Sequence, residues 1–385
     1  MRGELEALEG SRVHYGKYHT EVFSGPIPLA RQIGGIKTIS VILPVFNALP
    51  YLQLAIRDVL KQEVGGGLEL IISDDCSSDG SFEWICELCK EMKGRGLEVE
   101  AVDVEDRGVG GGSNPSKAMG KREGADMEVD GGDDEGGDGE GMSAAEVASC
   151  VAVGVRLVHV RQKVRTNRGQ GETQSRCLRF AKGKYVGFME ADDERDDDNF
   201  SEMVTRLELK EGRLDAVCCS SRTIGWKREG MERYIEWQNT LVSGDDMKAA
   251  RFIEIPSLMQ AMVIRREALL DCLVKVDTEG GAEGGAEGGM EGGTEGGDVV
   301  FMDSKMWSID YHFWLTFFEM GKRVEKLEGV RVEDELAKTK GWSRFRWRQH
   351  PGQQTRNHGR LSIENLRKCK CQVIARMAQN FVVYR

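Results

Sequence analysis

Short apolar runs recur along the chain and are separated by segments with a different periodicity. The runs are rich in Val and Ile and lack the alternation of a half-exposed strand, so they predict strands buried on both faces of a parallel sheet. They are TISVILPVF (38–46), LELIIS (68–73), VRLVHV (155–160), KYVGFM (184–189) and LDAVCCSS (214–221).

Segments with helical spacing of apolar residues follow most of these strands. Pro50 suits the first turn of the first helix, Asp79 is a candidate N-cap of the second, and Gly183 is expected to close the third. The predicted helices cover 47–62, 78–92, 172–184 and 199–212. Strands that alternate with helices through short connections predict an α/β fold, with a mostly parallel sheet flanked by helices.

Two acidic, glycine-rich segments interrupt this pattern, at 104–141 and 278–298. They contain too few apolar residues to offset the entropy of ordering, so we expect both to be disordered insertions. About 326 of the 385 residues remain, enough for one large domain. The predicted organisation is an N-terminal tail (1–36), a domain (37–360) with the two insertions, and a helical C-terminal tail (361–385).

The charge of the chain is unevenly distributed. Its formal net charge is −11, but the acids of 123–140 and 278–298 contribute −15, so the remainder is close to +4. Ten Lys and Arg and a single acid lie between Lys338 and Lys370. Such a basic segment suits an anionic ligand, a diphosphate or a nucleic acid, or is simply a solvated face.

The chain shows no apolar run long enough to span a membrane, and its N-terminus is too polar for a signal peptide. The ten cysteines are scattered, which is typical of reduced thiols. The expected location is therefore cytoplasmic.

Three polar clusters stand where predicted strands end. They are PVFN (44–47), SDDCSSD (73–79) and EADD (190–193). The carboxyl ends of parallel strands share one edge, and ligands of such sheets bind outside that edge. We therefore expect the clusters to meet in one site, although strand ends are also polar where no ligand binds.

The third cluster begins a stretch with seven acids in nine positions, from 190 to 198. Alternation along an extended chain places Glu190 and Asp192 on the same side, where two carboxylates can address one cation. The alternative is a solvated loop or helix start, and we assign that role to Asp196, Asp197 and Asp198.

The motifs resemble glycosyltransferase family 2, whose members have the GT-A fold, over roughly residues 38–360. ISVILPVFN followed by IISDDCSSDGS stands where the family has a strand ending in Asp-Asp-Gly-Ser-x-Asp, with Cys76 in place of glycine. The resemblance implies that Asp75 hydrogen-bonds a uracil edge. It also implies that the nucleotide is lined by Pro44, Val45, Phe46 and Asn47.

NRGQGETQSRCLRFAKGKYVGFMEADD (167–193) resembles the family's second element, which ends in Asp-x-Asp. Here that slot reads Glu190-Ala191-Asp192, so the resemblance implies that Glu190 and Asp192 hold Mn²⁺ or Mg²⁺ at the diphosphate of a UDP-sugar. The longer Glu190 side chain shifts its expected contact towards a water-mediated one. Arg176 resembles the family's helix arginine near the diphosphate, with a surface arginine as the alternative.

VVFMDSKMWSIDYHFWLTFFEMGKRV (299–324) resembles the third element, in which an Asp is the catalytic base. Asp310 stands in that slot, with Ile309 in place of the family's Glu. The alternatives are that Asp310 only caps its helix, or that Asp303 is the base. Trp307 could stack on a sugar ring.

WSRFRWRQHPGQQT (342–355) resembles the fourth element. Its aromatic and basic residues alternate, which predicts a strand with one aromatic and one basic face. The resemblance implies that His350 completes the metal shell or touches the diphosphate, unless it is a structural histidine. Arg348 is a candidate contact of the sugar or the acceptor.

Within the family, three longer segments look most like the β-1,3-N-acetylglucosaminyltransferase-like protein 1 group. They are RYIEWQNTL (233–241), PSLMQAMVIRREAL (256–269) and RQHPGQQT (348–355). The resemblance implies an inverting, metal-dependent transfer of a sugar, N-acetylglucosamine by the group's name, from a UDP-sugar to an acceptor hydroxyl.

Two other functions stay open. A nucleotide-sugar-binding protein without catalysis is suggested by the departures at Glu190 and Ile309. A protein that binds single-stranded nucleic acid through its basic, aromatic tail is the less favoured choice.

Overall fold

The structure is a computed structural model that describes residues 38–104, 141–276, 298–300, 309–327 and 344–351, with six more positions at 367–368, 370–371 and 374–375. The predicted N-terminal tail lies outside the described residues, as do nearly all of both insertions. The expectation that these segments are disordered therefore stays a prediction. The end residues Val104 and Asp298 belong to strands.

An eight-stranded sheet forms the centre of the molecule, in the order β12-β7-β9-β5-β1-β2-β4-β3. Strand β9 is antiparallel to both of its neighbours, and the other pairs are parallel. Its strands are β1 (Ile39–Val45), β2 (Leu68–Asp74), β3 (Glu98–Val104), β4 (Val155–Gln162), β5 (Tyr185–Phe188), β7 (Ala216–Cys218), β9 (Met262–Arg265) and β12 (Val324–Lys326).

The helices connect these strands, and together they confirm the predicted α/β fold with a mostly parallel sheet. In chain order they are α1 (Leu49–Leu60), α2 (Ser81–Gly94), α3 (Ala144–Ser149), α4 (Gln170–Leu178), α5 (Asn199–Leu209), α6 (Glu229–Thr240), α7 (Gly244–Ala250), α8 (Arg266–Asp271) and α9 (Ile309–Glu319). Helix α1 buries an apolar stripe that includes Leu52, Ile56 and Val59, whereas α9 is buried over eight consecutive residues. Every residue of β1 and β2 is buried, as their unbroken apolar runs predict.

A second sheet of three strands joins distant parts of the chain. It contains β6 (Glu194–Arg195), β13 (Phe345–Gln349) and β8 (Ser221–Gly225), in that order with β13 in the centre. Strand β13 is antiparallel to β6 and parallel to β8. The basic, aromatic segment is thus a strand, as predicted, and it lies against the acid-rich stretch. A hairpin of β10 (Val274–Val276) and β11 (Asp298–Val300) flanks the second insertion.

Several predicted boundaries are wrong. Residues 98–104 form the edge strand β3, which we did not predict, and 214–221 contain the whole of β7 and only the first residue of β8. Helix α4 ends at Leu178, before Gly183. Gly183 instead packs against β1, where a Cβ would lie 2.6 Å from the backbone nitrogen of Ser40.

The N-cap of α2 is Gly80 and not Asp79. The Asp79 carboxylate accepts hydrogen bonds from the backbone nitrogens of Ser81 (3.0 Å) and Leu49 (2.8 Å). One carboxylate therefore ties together the first turns of α1 and α2, both of which begin at the functional edge of the sheet.

None of the helices in the described part of the chain combines the length and apolar character that a membrane span requires.

Candidate active site

An open cleft lies outside the carboxyl ends of β1, β2 and β5, where the three polar clusters were expected to meet. Its atom-free space, including the part continuous with solvent, is about 930 Å³. All three clusters contribute to its wall, so the predicted convergence is confirmed. The lining residues are Pro44, Val45, Phe46, Asn47, Ala48, Tyr51, Asp75, Gln170, Thr173, Glu190, Ala191, Asp192, Asp193, Gln260, Trp347 and His350.

Two residues with left-handed backbone shape the first wall of the cleft. Asn47 has φ 48° and Cys76 has φ 69°. Asn47 tolerates this conformation well, and its side-chain oxygen accepts a hydrogen bond from the backbone nitrogen of Ser78 (2.8 Å). The conformation of Cys76 explains why a glycine suits that position.

Asp75 lies between these two turns and is buried, with 3% of its surface exposed. Its carboxylate accepts hydrogen bonds from the backbone nitrogens of Arg168 (2.9 and 3.1 Å) and Gly169 (2.7 Å). Burial raises the pKa of Asp75, and these amide hydrogen bonds oppose the shift. Asp75 thus fixes the loop before α4 and still lines the cleft. Its contact with uracil stays a prediction.

Arg176 lies below the cleft. It is 1% exposed and donates a hydrogen bond to the hydroxyl of Ser73 (3.1 Å) at the end of β2. The alternative of a surface arginine is therefore wrong. Arg176 is absent from the cleft wall, so the expected direct contact with a diphosphate is not supported. Its positive charge acts instead from below on Asp75, where it opposes the rise in the carboxyl pKa that burial causes.

Glu190 follows β5 and lines the cleft from the opposite side. Its Oε1 accepts hydrogen bonds from the side-chain amides of Gln170 (2.7 Å) and Gln260 (3.2 Å). Burial raises the pKa of Glu190 to about 8, and the negative charges of Asp192 and Asp310 add to the shift.

Asp192 meets His350 across the two sheets. Its Oδ2 lies 3.0 Å from His350 Nε2. The ring of Tyr51 packs against the imidazole with centroids 4.8 Å apart, and the Arg348 guanidinium lies 4.8 Å from the same Tyr51 ring. Asp192 and His350 therefore meet in one cleft, as expected, while their binding of a metal stays a prediction. Tyr51, which sequence reasoning missed, packs against the imidazole.

Glu190 does not join this pair in a metal-binding arrangement. Within the described residues, no three His, Cys, Asp or Glu side chains are placed to hold a metal ion together. The expected set of Glu190, Asp192 and His350 is therefore not assembled as three ligands. The physical reason is that two amides pull the longer Glu190 side chain towards themselves.

Arg348 supports the site from behind and is not part of the cleft wall. Its backbone nitrogen donates to Asp193 Oδ1 (2.8 Å), its Nε donates to the Asp192 carbonyl (3.0 Å), and its guanidinium pairs with Glu194. The expectation that Arg348 contacts sugar or acceptor gains no support. Instead, Arg348 positions the two aspartates.

Asp197 and Asp198 form an exposed turn that leads into α5, with Asp198 at the N-cap, so the predicted solvated turn and helix start is confirmed for these two residues, whereas Asp196 is partly buried. Asp196 pairs with Arg346, and Asp198 lies 2.7 Å from Arg344. These arginines alternate along the basic face of β13. Asp197 keeps a 73% exposed side chain and reaches Lys61 at 2.6 Å. The acid-rich stretch and the basic strand therefore neutralise each other in a sheet.

Arg195 anchors the stretch in the core. Its side chain is fully buried, lies over the rings of Phe200 (4.1 Å) and Phe345 (5.1 Å), and donates to the Phe188 carbonyl (3.1 Å). Burial lowers the pKa of Arg195 to about 10. Its backbone nitrogen donates to the buried Asp58 (2.9 Å) of α1, which fixes the direction in which the acids leave β5.

Asp310 lies at the second position of α9 and is partly buried. Burial and the negative charge of Glu254 raise the pKa of its carboxyl to about 6. Its charge also raises the pKa of Glu190, which places Asp310 near the cleft although it does not line it. Asp303 and Trp307 lie outside the described residues, so their predicted roles stay predictions.

The family of the chain follows from comparison with known proteins. The model of the family described as Glycosyl transferase family 2 matches residues 40–114 and 143–274. These residues make up more than half of the chain and include the wall formed by Asp75, Glu190 and Asp192. The chain belongs to glycosyl transferase family 2.

Solved structures of glycosyltransferases also match the chain, at low sequence identity. Residues 1–349 of S. aureus TarS in complex with UDP-GlcNAc match 87% of this chain and 65% of their own length, at 12% identity and a TM-score of 0.47. The mannosyltransferase PcManGT from Pyrobaculum calidifontis, in complex with GDP-Man and Mn²⁺, matches 82% of this chain and 60% of its own, at 15% identity and a TM-score of 0.41.

A third structure, of S. aureus TarS, matches 82% of this chain and 37% of its own length at 12% identity, with a TM-score of 0.44. The chain therefore spans between 37% and 65% of the length of these structures. No curated protein matches it, so the likeness to one particular group within glycosyl transferase family 2 is not confirmed.

The described wall of the cleft is rich in carboxyl groups. It carries four of them, of Asp75, Glu190, Asp192 and Asp193, and no Lys or Arg side chain. One oxygen of the buried Asp193 has no hydrogen-bond partner among the described residues. A diphosphate that enters this member of glycosyl transferase family 2 meets a negative field unless a cation accompanies it.

Proposed function

We propose that the chain is an inverting, metal-dependent glycosyltransferase that moves a sugar from a UDP-sugar to an acceptor hydroxyl. The observation that carries the proposal is the Asp192–His350 pair in a cleft that also contains Asp75 and lies within reach of the Asp310 charge. The resemblance of 233–241 and 256–269 to the N-acetylglucosaminyltransferase-like group supports N-acetylglucosamine as the sugar.

The residues present fit a divalent metal held jointly with the substrate. Asp192 offers a carboxylate oxygen and His350 an imidazole nitrogen, a donor set that suits Mn²⁺ or Mg²⁺. Mg²⁺ is commonly bound by one or two carboxylates together with substrate phosphates, so two protein ligands are sufficient. When bound, the metal would offset the negative charge that develops on the leaving diphosphate.

The cleft residues would divide the remaining tasks. The backbone and side chains of 44–47, at the end of β1, form the wall against which a nucleoside can lie. Tyr51 and Arg348 keep His350 and Asp192 in their relative positions. This preorganisation matters because small displacements of reacting groups cost large factors in rate.

Asp310 is the proposed base. Inversion requires a group that takes the proton of the acceptor hydroxyl while that oxygen attacks the sugar carbon from the side opposite the diphosphate. With a pKa of about 6, Asp310 is ionised at neutral pH and a stronger base than an ordinary aspartate. General-base catalysis of this kind contributes roughly 10²- to 10⁴-fold.

Calorimetric titration of the protein with UDP, ADP and GDP, each with and without Mn²⁺, tests the proposal. We expect UDP to bind in the presence of Mn²⁺ and to bind much more weakly without it, because the cleft wall is anionic. Equal affinity for UDP with and without the metal, or no binding at all, would contradict the proposal.

Catalysis is separated from binding by Asp310→Asn. Hydrolysis of a panel of UDP-sugars with Mn²⁺ should be measurable for the wild type and much slower for the variant. Equal background rates in both would favour the alternative of a nucleotide-sugar-binding protein without catalysis.

The nucleic-acid alternative loses its main support in the structure. It depended on the basic face of the segment around β13, but Arg344, Arg346 and Arg348 all form ion pairs with acids of 194–202. A phosphate backbone would have to displace these intramolecular partners.

A further inference from the structure

Glu190 is fixed by two glutamines from different parts of the fold. Gln170 is the first residue of α4, and Gln260 lies in a short 3₁₀ helix (Met259–Ala261) before β9. Both side-chain amides donate to the same oxygen, Oε1, at 2.7 and 3.2 Å. All three residues line the cleft, so the cluster belongs to the binding surface and not to the core.

The cluster leaves hydrogen-bond acceptors available to a ligand. Within the described part of the chain, no hydrogen bond reaches Glu190 Oε2. Gln260 Oε1 is buried and also lacks a partner there. Arg195 donates to the backbone carbonyl of Gln260 and fixes the main chain at this point. A ligand at this point would therefore donate hydrogen bonds to carboxyl and amide oxygens.

We propose that Gln170, Glu190 and Gln260 form the subsite for the sugar of the donor, and that this subsite selects neutral sugars over sugar acids. The inference rests on the proposed function and adds the class of sugar to it. It also gives Glu190 a role that differs from metal binding. Hydroxyl groups, or the N–H of an acetamido group, would donate to Glu190 Oε2 and Gln260 Oε1.

The acidic residues around Glu190 are the reason why the subsite should prefer neutral sugars to sugar acids. Asp192 and Asp193 line the cleft beside Glu190, and the charges of Asp192 and Asp310 act on the Glu190 carboxyl. No Lys or Arg side chain lines the described cleft. The carboxylate of a uronic acid would face this group of acids, without a donor to satisfy it. A neutral sugar of the same size avoids this repulsion and can form hydrogen bonds with the carboxyl and amide oxygens of the subsite.

The test is a calorimetric comparison of UDP, UDP-glucose, UDP-N-acetylglucosamine and UDP-glucuronic acid, all with Mn²⁺. For the wild type, we expect at least one of the two neutral donors to bind about tenfold or more tightly than UDP-glucuronic acid, the size of effect typical of hydrogen bonds to charged groups. In Glu190→Gln, this preference should fall to within about threefold, because the acidic group is replaced by an amide that can donate to the carboxylate of the sugar acid.

Two further variants make the comparison specific. Gln260→Met removes both the donor and the acceptor at similar size, and should weaken binding of the neutral donor more than binding of UDP. Glu208→Gln is a matched change of the same chemistry on the exposed face of α5, where Glu208 pairs with Lys184 at the opposite end of β5. It should leave the preference unchanged.

The outcomes separate the inference from the function on which it rests. If UDP binds with Mn²⁺ but UDP-glucuronic acid binds as tightly as both neutral donors, the sugar subsite is wrong and the proposed function stands. The subsite is also wrong if Glu190→Gln loses Mn²⁺-dependent binding of UDP as completely as Asp192→Asn, since Glu190 is then a metal ligand. If UDP does not bind the wild type at all, the proposed function fails and the inference falls with it.

Discussion

Asp192 Oδ2 lies 3.0 Å from His350 Nε2, although 158 residues separate the two in the chain. The contact exists because β13 pairs with β6 and delivers the histidine to the end of β5. Arg348 and Tyr51 then fix the two partners from behind and from the side. A carboxylate and an imidazole so placed on an anionic cleft wall are the basis for the predictions that concern the metal.

Replacing either partner should weaken metal-dependent nucleotide binding. Asp192→Asn and His350→Ala each remove one proposed ligand, and changes even in residues that only support metal ligands cost roughly 10- to 100-fold in affinity. We therefore expect at least that loss in the affinity for UDP with Mn²⁺, measured by calorimetry, with Glu208→Gln as control. Wild-type affinity in both variants would exclude the pair as ligands.

Asp310→Asn should lower kcat and leave the affinity for UDP intact. The expected loss is about 10²- to 10⁴-fold, the usual contribution of a general base. In the wild type, kcat should fall as the pH drops below about 6, because the base is then protonated. Other titratable groups lie near Asp310, namely Glu254, Glu190 and Tyr234. If kcat of the variant still falls at acidic pH, the fall is caused by one of these groups and not by Asp310.

The same substitution should stabilise the fold. Because the pKa of Asp310 is raised to about 6 from an ordinary value of 3.8, the folded state binds this proton more tightly than the unfolded state. Its contribution to stability is therefore present below pH 4 and is lost as the pH rises to about 6. Asp310→Asn removes the buried charge and should raise the free energy of unfolding at pH 7.5 by about 1–2 kcal/mol.

Urea denaturation at pH 7.5 and pH 4.5 measures this effect, and the gain should shrink at the lower pH. A variant that is less stable than the wild type at pH 7.5 would show that the Asp310 carboxylate has a compensating partner.

Asp58 should be essential for stability, and Asp197 should not. Both pair with Lys61, but the Asp58 side chain is fully buried, whereas that of Asp197 is 73% exposed. Asp58→Ala also leaves the backbone nitrogen of Arg195 without its acceptor. We expect a loss of about 3 kcal/mol for Asp58→Ala, and less than about 1 kcal/mol for Asp197→Ala. Equal losses in urea denaturation would contradict the assignment of Asp58 to the support of the site.

The sequence predicted the central sheet well where burial imposes a simple pattern. The runs at 39–45, 68–74 and 185–188 are apolar because both faces are covered, and each became a central strand. The exposed edge strand β3, EVEAVDV, offers its acids to solvent and was missed beside an acidic insertion. The meeting of the strand ends in a cleft was predictable because it depends on sheet topology alone.

The partners of individual side chains were not predictable to the same degree. Arg176 is buried below the cleft, and Arg348 contacts two aspartates from behind it. The geometry of the helix or strand decides whether such a long side chain enters the cleft or lies behind its wall, and the sequence does not show this. Gln170 and Gln260 carried no signal beyond their position near recognised motifs. The contact of Gln260 with Glu190 joins residues 70 positions apart in the chain, and only the fold brings them together.

The late pairing of β13 with β6 has a consequence for synthesis on the ribosome. The sheet edge that carries Asp75 and Asp192 has left the ribosomal exit tunnel long before His350 is translated, and domains commonly begin to fold while their chain is still growing. A nascent chain thus holds its acid-rich stretch without the arginines that balance it. The proposed metal site is complete only after the last strand has paired.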